Sequence, residues 1–308
     1  MSEPREARHI MVTRLVTLSP QMPVVEGVRK LLRNNITGAP VLDPYGRFLA
    51  IFAEKSCLSA LASAASQSRT AGRTLKAKNV MVRKLITLSP DMDVIDAIGL
   101  LLKNRISGAP VLERDGSFVG VFSERTSMQV LLDAAYDQHP TAEVGAYTNP
   151  DPDRGISEET DLRTILDLFL ETPYRRLEVM RGRKVVGQIS RRDAIRAAFP
   201  MLESARGSES PQTTQPGLSH RAGAPLEDYL YRSARTDGEE ASLLEIAQIF
   251  LRTNHRRLPV VRDGELAGQI SRRDLLSATH AMLAPAPQQQ SNLLYLSSIV
   301  ERHEAPVV

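Results

Sequence analysis

The feature that most constrains this chain is that it contains copies of itself. Val12–Pro20 reads VTRLVTLSP and Val82–Pro90 reads VRKLITLSP, while Thr37–Leu42 (TGAPVL) is answered by Ser107–Leu112 (SGAPVL). Both pairs lie seventy residues apart, so one unit has been duplicated. The second half carries the same unit in other words. Arg175–Met180 (RRLEVM) answers Arg256–Val261 (RRLPVV), and GQISRRD stands unchanged at Gly187–Asp193 and Gly268–Asp274. The first-half counterparts of that string are Ala50–Ser56 (AIFAEKS) and Gly120–Thr126 (GVFSERT).

Each unit predicts the same local structure. In the second, Val94, Ala97, Ile98, Leu101 and Leu102 fall on one helical face, with Asp93 before them as N-cap. A step of sixteen residues leads from Val94 to Pro110 and the short strand that follows. The same step links Val24 to Pro40, Leu162 to Glu178 and Leu243 to Pro259. The other expected caps are Asp161, Ser242 with Glu245 as a capping box, and Pro23, which has no side-chain oxygen to offer. Turn residues follow at Asp43–Gly46, Arg114–Gly116, Arg181–Gly182 and Asp263–Gly264, then a second strand. A second helix is expected to begin at Glu54, Glu124, Arg191 and Arg272. The fold class is therefore α+β: four strand–helix–hairpin–helix units, each with a sheet too small to close its own core, so that units must pack in pairs.

The expected boundaries are repeat one at 7–65, repeat two at 77–138, repeat three at 142–203, a flexible linker at 204–224, repeat four at 225–283 and a tail at 284–308. Ser63–Ala77 and Ser204–Ala224 have linker composition. In repeat three Asn149-Pro150-Asp151-Pro152 should break the first strand. The tail holds a Pro/Gln spacer and then an apolar stretch, Leu293–Val300, expected to dock on its own chain or on a neighbour.

Composition excludes several classes. A net charge of +3 with 5% aromatic residues and no Trp is not the footprint of a nucleic-acid binder. No run of eighteen apolar residues predicts a membrane span, and the charged start MSEPREARHI is not read as a signal peptide. Cys57 is the only cysteine and falls in an Ala/Leu/Ser helix face, which fits a reducing, cytoplasmic setting rather than a catalytic thiol. The six His show no metal-ligand spacing, and no Walker loop, Gly-x-Gly-x-x-Gly or Gly-x-Ser-x-Gly motif is present.

The TLSP–helix–GAPVL–DG–FVGVFSER string and the Gly-x-hydrophobic-Ser-x-x-Asp ending resemble the cystathionine-beta-synthase (CBS) domain, and two such units resemble a Bateman module. Four in one chain are similar in layout to the gamma subunit of the AMP-activated kinase. That resemblance implies pairing of repeat one with two and of three with four, either as a disc within one chain or between the chains of a homodimer.

It also implies a ligand site where the last strand meets the second helix. A helix start offers free N–H groups to an anion. Ser190 and Ser271 take the hydroxyl position and Asp193 and Asp274 the ribose-binding position. Arg191, Arg192, Arg272 and Arg273 lie between them, and Arg175, Arg176, Arg256 and Arg257 precede the short strand facing phosphate. A capping box would explain each Ser-x-x-Asp without a ligand, but not the repeated Arg pairs. Repeat two has Ser123 but Thr126 in place of Asp; repeat one, with Ala53 and Ser56, has lost both groups. The expectation is a regulatory sensor, not an enzyme, needing no cofactor. It would bind AMP, ADP or ATP between repeats three and four and act on a separate protein partner. The alternative is a scaffold with vestigial sites.

Overall fold

The computed structural model describes residues 6–67, 75–137, 143–148, 151–207, 223–230, 238–253 and 255–283. Leu293–Val300 and most of the linker after Ser204 lie outside them. Repeat one comprises α1 (Ala7–Ile10), α2 (Val24–Arg33), β1 (Gly38–Leu42), β2 (Phe48–Ala53) and α3 (Glu54–Gln67). Repeat two follows the same order with α4 (Ala77–Val80), α5 (Val94–Lys103), β3 (Gly108–Leu112), β4 (Phe118–Ser123) and α6 (Glu124–Asp137). Repeat three has a 3-10 turn at Val144–Tyr147, β5 (Gly155–Ser157), α7 (Leu162–Glu171), β6 (Arg176–Arg181), β7 (Lys184–Ser190) and α8 (Arg191–Gly207). Repeat four has a 3-10 turn at Leu226–Tyr229, α9 (Leu243–Arg252), β8 (Arg257–Arg262), β9 (Glu265–Ser271) and α10 (Arg272–Leu283).

The four second helices begin at the residues expected, because in each unit the strand runs straight into the helix. The caps also form. Asp93 accepts from Ile95 N at 2.7 Å and Asp161 from Thr164 N at 2.9 Å. Ser242 and Glu245 close a capping box, while Pro23 makes no side-chain cap. Repeat three keeps a first strand despite its prolines. A 3-10 turn carries the chain past Pro152, and β5 then pairs parallel to β6, with Ile156 opposite Val179. In repeats one and two that strand shrinks to a single bridge, Leu18 to Val41 and Leu88 to Val111.

The pairing of the units differs from the expectation. Repeat one joins repeat four edge to edge: Val12 N donates to Gln269 O at 2.9 Å, and Gln269 N returns the bond at 3.0 Å. Repeat two joins repeat three in the same way, through Val82 and Gln188. The partners also exchange their lead-in segments. Ala7 N reaches Ala241 O and Leu226 N reaches Met22 O, while Ala77 N reaches Thr160 O and Val144 N reaches Met92 O, each at 2.8–2.9 Å. Helix packing adds the other two contacts. One core fuses repeats one and three along α3, α7 and α8. A second fuses repeats two and four along α5, α6, α9 and α10. Repeats one and two therefore face each other across the centre, as do three and four.

The first residue of the second helix is Glu54 or Glu124 in repeats one and two and Arg191 or Arg272 in repeats three and four. Each edge joint and each shared core therefore joins one glutamate unit to one arginine unit.

The edge joints are tight. A Cβ added at Gly268 would lie 2.8 Å from Met11 Sδ and 3.1 Å from the carbonyl oxygen of Val12, a backbone atom that cannot retreat. Gly268→Ala is expected to cost about 1–3 kcal/mol in urea denaturation. A loss of less than a few tenths would show that the repeat one–four joint is looser than drawn.

Candidate functional site

All four repeats turn the same ends toward one central cavity of about 350 Å³. Repeat one contributes Asn35, Thr37 and Glu54, and repeat two the equivalent Arg105, Ser107 and Glu124. Asn35 and Arg105 both adopt the left-handed conformation just past a helix end (φ 52°), which turns the chain inward. Repeat three adds Arg175, Arg176, Ser190, Arg191 and Arg192; repeat four adds Arg256, Arg257, Ser271 and Arg273. Among the described residues eight arginines face two glutamates, and no aromatic or aliphatic side chain lines the wall.

The arginines reach across to the other repeats. Arg176 donates to Ser107 Oγ at 3.2 Å and to Gln188 Oε1 at 2.7 Å. Arg257 Nε donates to Thr37 Oγ1 at 3.2 Å. Arg192 donates to Asn35 Oδ1 and lies 4.0 Å from Glu54. Arg273 donates to Arg105 O at 2.8 Å and to Glu124 at 3.4 Å, and Arg256 to Glu124 at 3.3 Å. Burial and mutual repulsion make this crowding costly. Burial, then the nearby Arg256 and Arg272, hold the Arg175 guanidinium well below its ordinary pKa, and burial then Arg256 lower that of Arg176.

Arg191 and Arg272 are placed differently from the rest. Arg191 Nη2 donates to the carbonyls of Phe169 (3.0 Å) and Thr172 (3.1 Å), capping the end of α7, and its guanidinium lies over the Phe169 ring. Arg272 repeats this on Phe250 and Thr253, and burial lowers its pKa to about 10. One edge of each fork is tied to a helix end, while Arg191 also lines the central cavity and Arg272 the adjoining cleft. The Nε atoms of Arg191, Arg272 and Arg273 are buried without a hydrogen-bond partner.

Ser190 and Ser271 line the cavity, whereas Asp193 and Asp274 are not among its lining residues. Each carboxylate folds back on its own helix start. Asp193 Oδ2 accepts from Ser190 Oγ at 2.6 Å and Ser190 N at 2.9 Å, and Asp274 treats Ser271 alike, at 2.7 Å for both. In repeat two Ser123 Oγ and Thr126 Oγ1 form a neutral version of this contact at 3.2 Å. In repeat one Ser56 is fully buried and its hydroxyl has no partner.

A second cleft, of about 440 Å³, opens off the centre and shares Ser107, Glu124, Arg175, Arg176 and Arg256 with it. Its walls add apolar surface from Val121, Pro173 and Tyr174, with Ser123 and Arg154 alongside. Arg154 stacks on Tyr174 with 4.5 Å to the ring centroid, and Tyr174 donates to Asp151 at 2.7 Å. Sequence reasoning missed Arg154, Tyr174, Asn35, Arg105, Thr37, Ser107 and the inward role of Glu54 and Glu124. The repeat itself carried the signal for four of them. Thr37 and Ser107 occupy the place of Arg175 and Arg256, and Glu54 and Glu124 that of Arg191 and Arg272.

Cys57 is buried, and burial pushes its thiol well up, so it remains protonated. Among the described residues no cluster of metal ligands occurs, and no helix is long and apolar enough to cross a membrane.

Four like units that share one basic cavity define a tandem-repeat protein whose site is built jointly. The chain belongs to the CBS domain family, whose model matches residues 7–63, 77–126, 147–199 and 232–281. It is 29% identical over 153 residues to inosine-5'-monophosphate dehydrogenase of Thermoplasma acidophilum, covering 49% of this chain but only 29% of that enzyme. It is 30% identical over 146 residues to the chloroplastic CBS domain-containing protein CBSX1 of Arabidopsis thaliana, spanning 39% of this chain and 61% of that one. A solved protein from Methanocaldococcus jannaschii aligns over 88% of this chain and 99% of its own at 18% identity, with a TM-score of 0.40.

Proposed function

We propose that this protein is a regulatory sensor of adenine nucleotides (AMP, ADP or ATP) that acts on a separate protein partner and catalyses nothing. The observation that carries the reading is the junction of two unlike spaces. The cleft with its apolar surface at Val121, Pro173 and Tyr174 suits a base, and the arginine-lined centre it opens into suits phosphates. The site thus draws on all four repeats rather than on a groove between three and four alone. Ser190 and Ser271 present hydroxyls to phosphate. Asp193 and Asp274 release their capping contacts to take ribose. A ligand held by four repeats would change how tightly they close, and a partner reading that closure would complete the signal.

A thermal-shift titration tests this. At a hundred times its dissociation constant a ligand adds about 2.7 kcal/mol of stability. If AMP, ADP and ATP all leave the melting point unmoved, the reading fails. Asp193→Ala and Asp274→Ala should each weaken the bound nucleotide about tenfold, the scale of one charge-assisted hydrogen bond. Unchanged affinity in both would move the ligand off these helix starts. A scaffold with vestigial sites is the second reading. Arg191 and Arg272 favour it, since their forks already serve helix ends.

A further inference from the structure

The central cavity has a composition that a nucleoside does not explain. Among the described residues eight arginines and two glutamates leave six formal positive charges in excess around about 350 Å³, and no aromatic or aliphatic side chain is part of the lining. Orthophosphate brings about two negative charges at neutral pH, and each further phosphoryl group adds about one. Only a chain of several phosphates approaches the excess charge. The buried Nε atoms of Arg191 and Arg273 mark donor capacity that the protein leaves unused.

The two glutamates are the unusual part. Glu124 is 4% and Glu54 8% exposed, and each is the first residue of a helix, where the backbone holds a carboxylate in place. At the same point of the repeat the other two units carry Arg191 and Arg272. Glu124 takes hydrogen bonds from both Arg256 and Arg273, and Glu54 approaches Arg192. They stand where an anion would stand.

We propose that the central cavity is an oligophosphate site, selective for a chain of three or more phosphates, in which Glu54 and Glu124 are internal counter-anions that an incoming ligand must displace from the arginines. This deepens the nucleotide reading by assigning it a phosphate tail, yet it does not require a base. The carboxylates keep the unfilled cavity folded and set the threshold for filling it.

The test uses base-free probes on the full chain by calorimetry: orthophosphate, pyrophosphate and tripolyphosphate, at fixed ionic strength. Tripolyphosphate should bind at least a hundredfold more tightly than orthophosphate. Glu124→Gln should tighten tripolyphosphate about tenfold, although its ligand-free melting point falls. Arg256→Gln should weaken it about tenfold. A damaged fold cannot produce the gain, and Glu54→Gln gives an independent second reading of it. Equal affinity for orthophosphate and tripolyphosphate, or no gain in either glutamate variant, would overturn the proposal. If ATP binds but tripolyphosphate does not compete with it, this proposal fails and the nucleotide reading stands. If tripolyphosphate binds and no nucleotide does, the reverse holds.

Discussion

A Phe169→Ala chain is expected to be about 3–5 kcal/mol less stable than its parent. Phe169 is fully buried in the core that joins repeats one and three, so truncation opens a cavity between two units at once. It also removes the ring beneath the Arg191 guanidinium, 5.9 Å from the centroid, and leaves a partly desolvated cation on a void. Phe250 plays the same part under Arg272 in the core of repeats two and four, 5.7 Å away. Because the two rings lie in separate cores, the losses should add. Urea denaturation of each single variant and of the double checks this. A loss below about 1 kcal/mol in Phe169→Ala would mean that the fused core described here is not formed.

The second large effect concerns pH. Glu178 is fully buried in β6, where the other three repeats carry Pro40, Pro110 and Pro259. Burial pushes its carboxyl up to about 7 from 4.5, against the pull of Gln188, Arg176 and Arg154. Gln188 Nε2 donates to both of its oxygens, at 2.9 and 3.1 Å. The folded state therefore holds this proton more firmly than the unfolded chain does. Its contribution is present in full below about pH 4.5, shrinks as pH rises through that window, and is lost above about 7, a swing of about 3 kcal/mol. Glu178→Gln keeps an oxygen for Gln188 and cannot ionise. The variant should be more stable than the parent at pH 8, equal to it near pH 4.5, and flatter between. Parallel stability curves for parent and variant from pH 5 to pH 8 would refute this account.

Helix starts and caps were legible because they depend on neighbours in sequence. Asp93, Asp161 and Ser242 each bond within three residues of themselves, and the strands ending at Ala53, Ser123, Ser190 and Ser271 run directly into helices. The pairing of repeats was not legible. Val12 and Val82 offer the same backbone edge to Gln269 and Gln188, and GQISRRD is identical in both receiving units, so local pattern cannot name the partner. The arginines could be listed from the sequence, but their company could not. That Glu124 would accept from Arg256 and Arg273 depends on repeats two and four sharing a core, and the hydrophobic faces of all four repeats look alike.

The exchange of lead-in segments has a consequence for how such a chain comes into being. Repeat two closes on repeat three inside an outer pair of repeat one with repeat four, like brackets within brackets. Val12 must find Gln269, so the outer pair forms only across nearly the whole length of the polypeptide. As the chain leaves the ribosome, repeat one gains its core partner when repeat three emerges, but its edge waits for the last repeat. A cut in the linker after Ser204 would part the fourth unit from three that keep one core and one edge joint among them, rather than yield two self-sufficient halves.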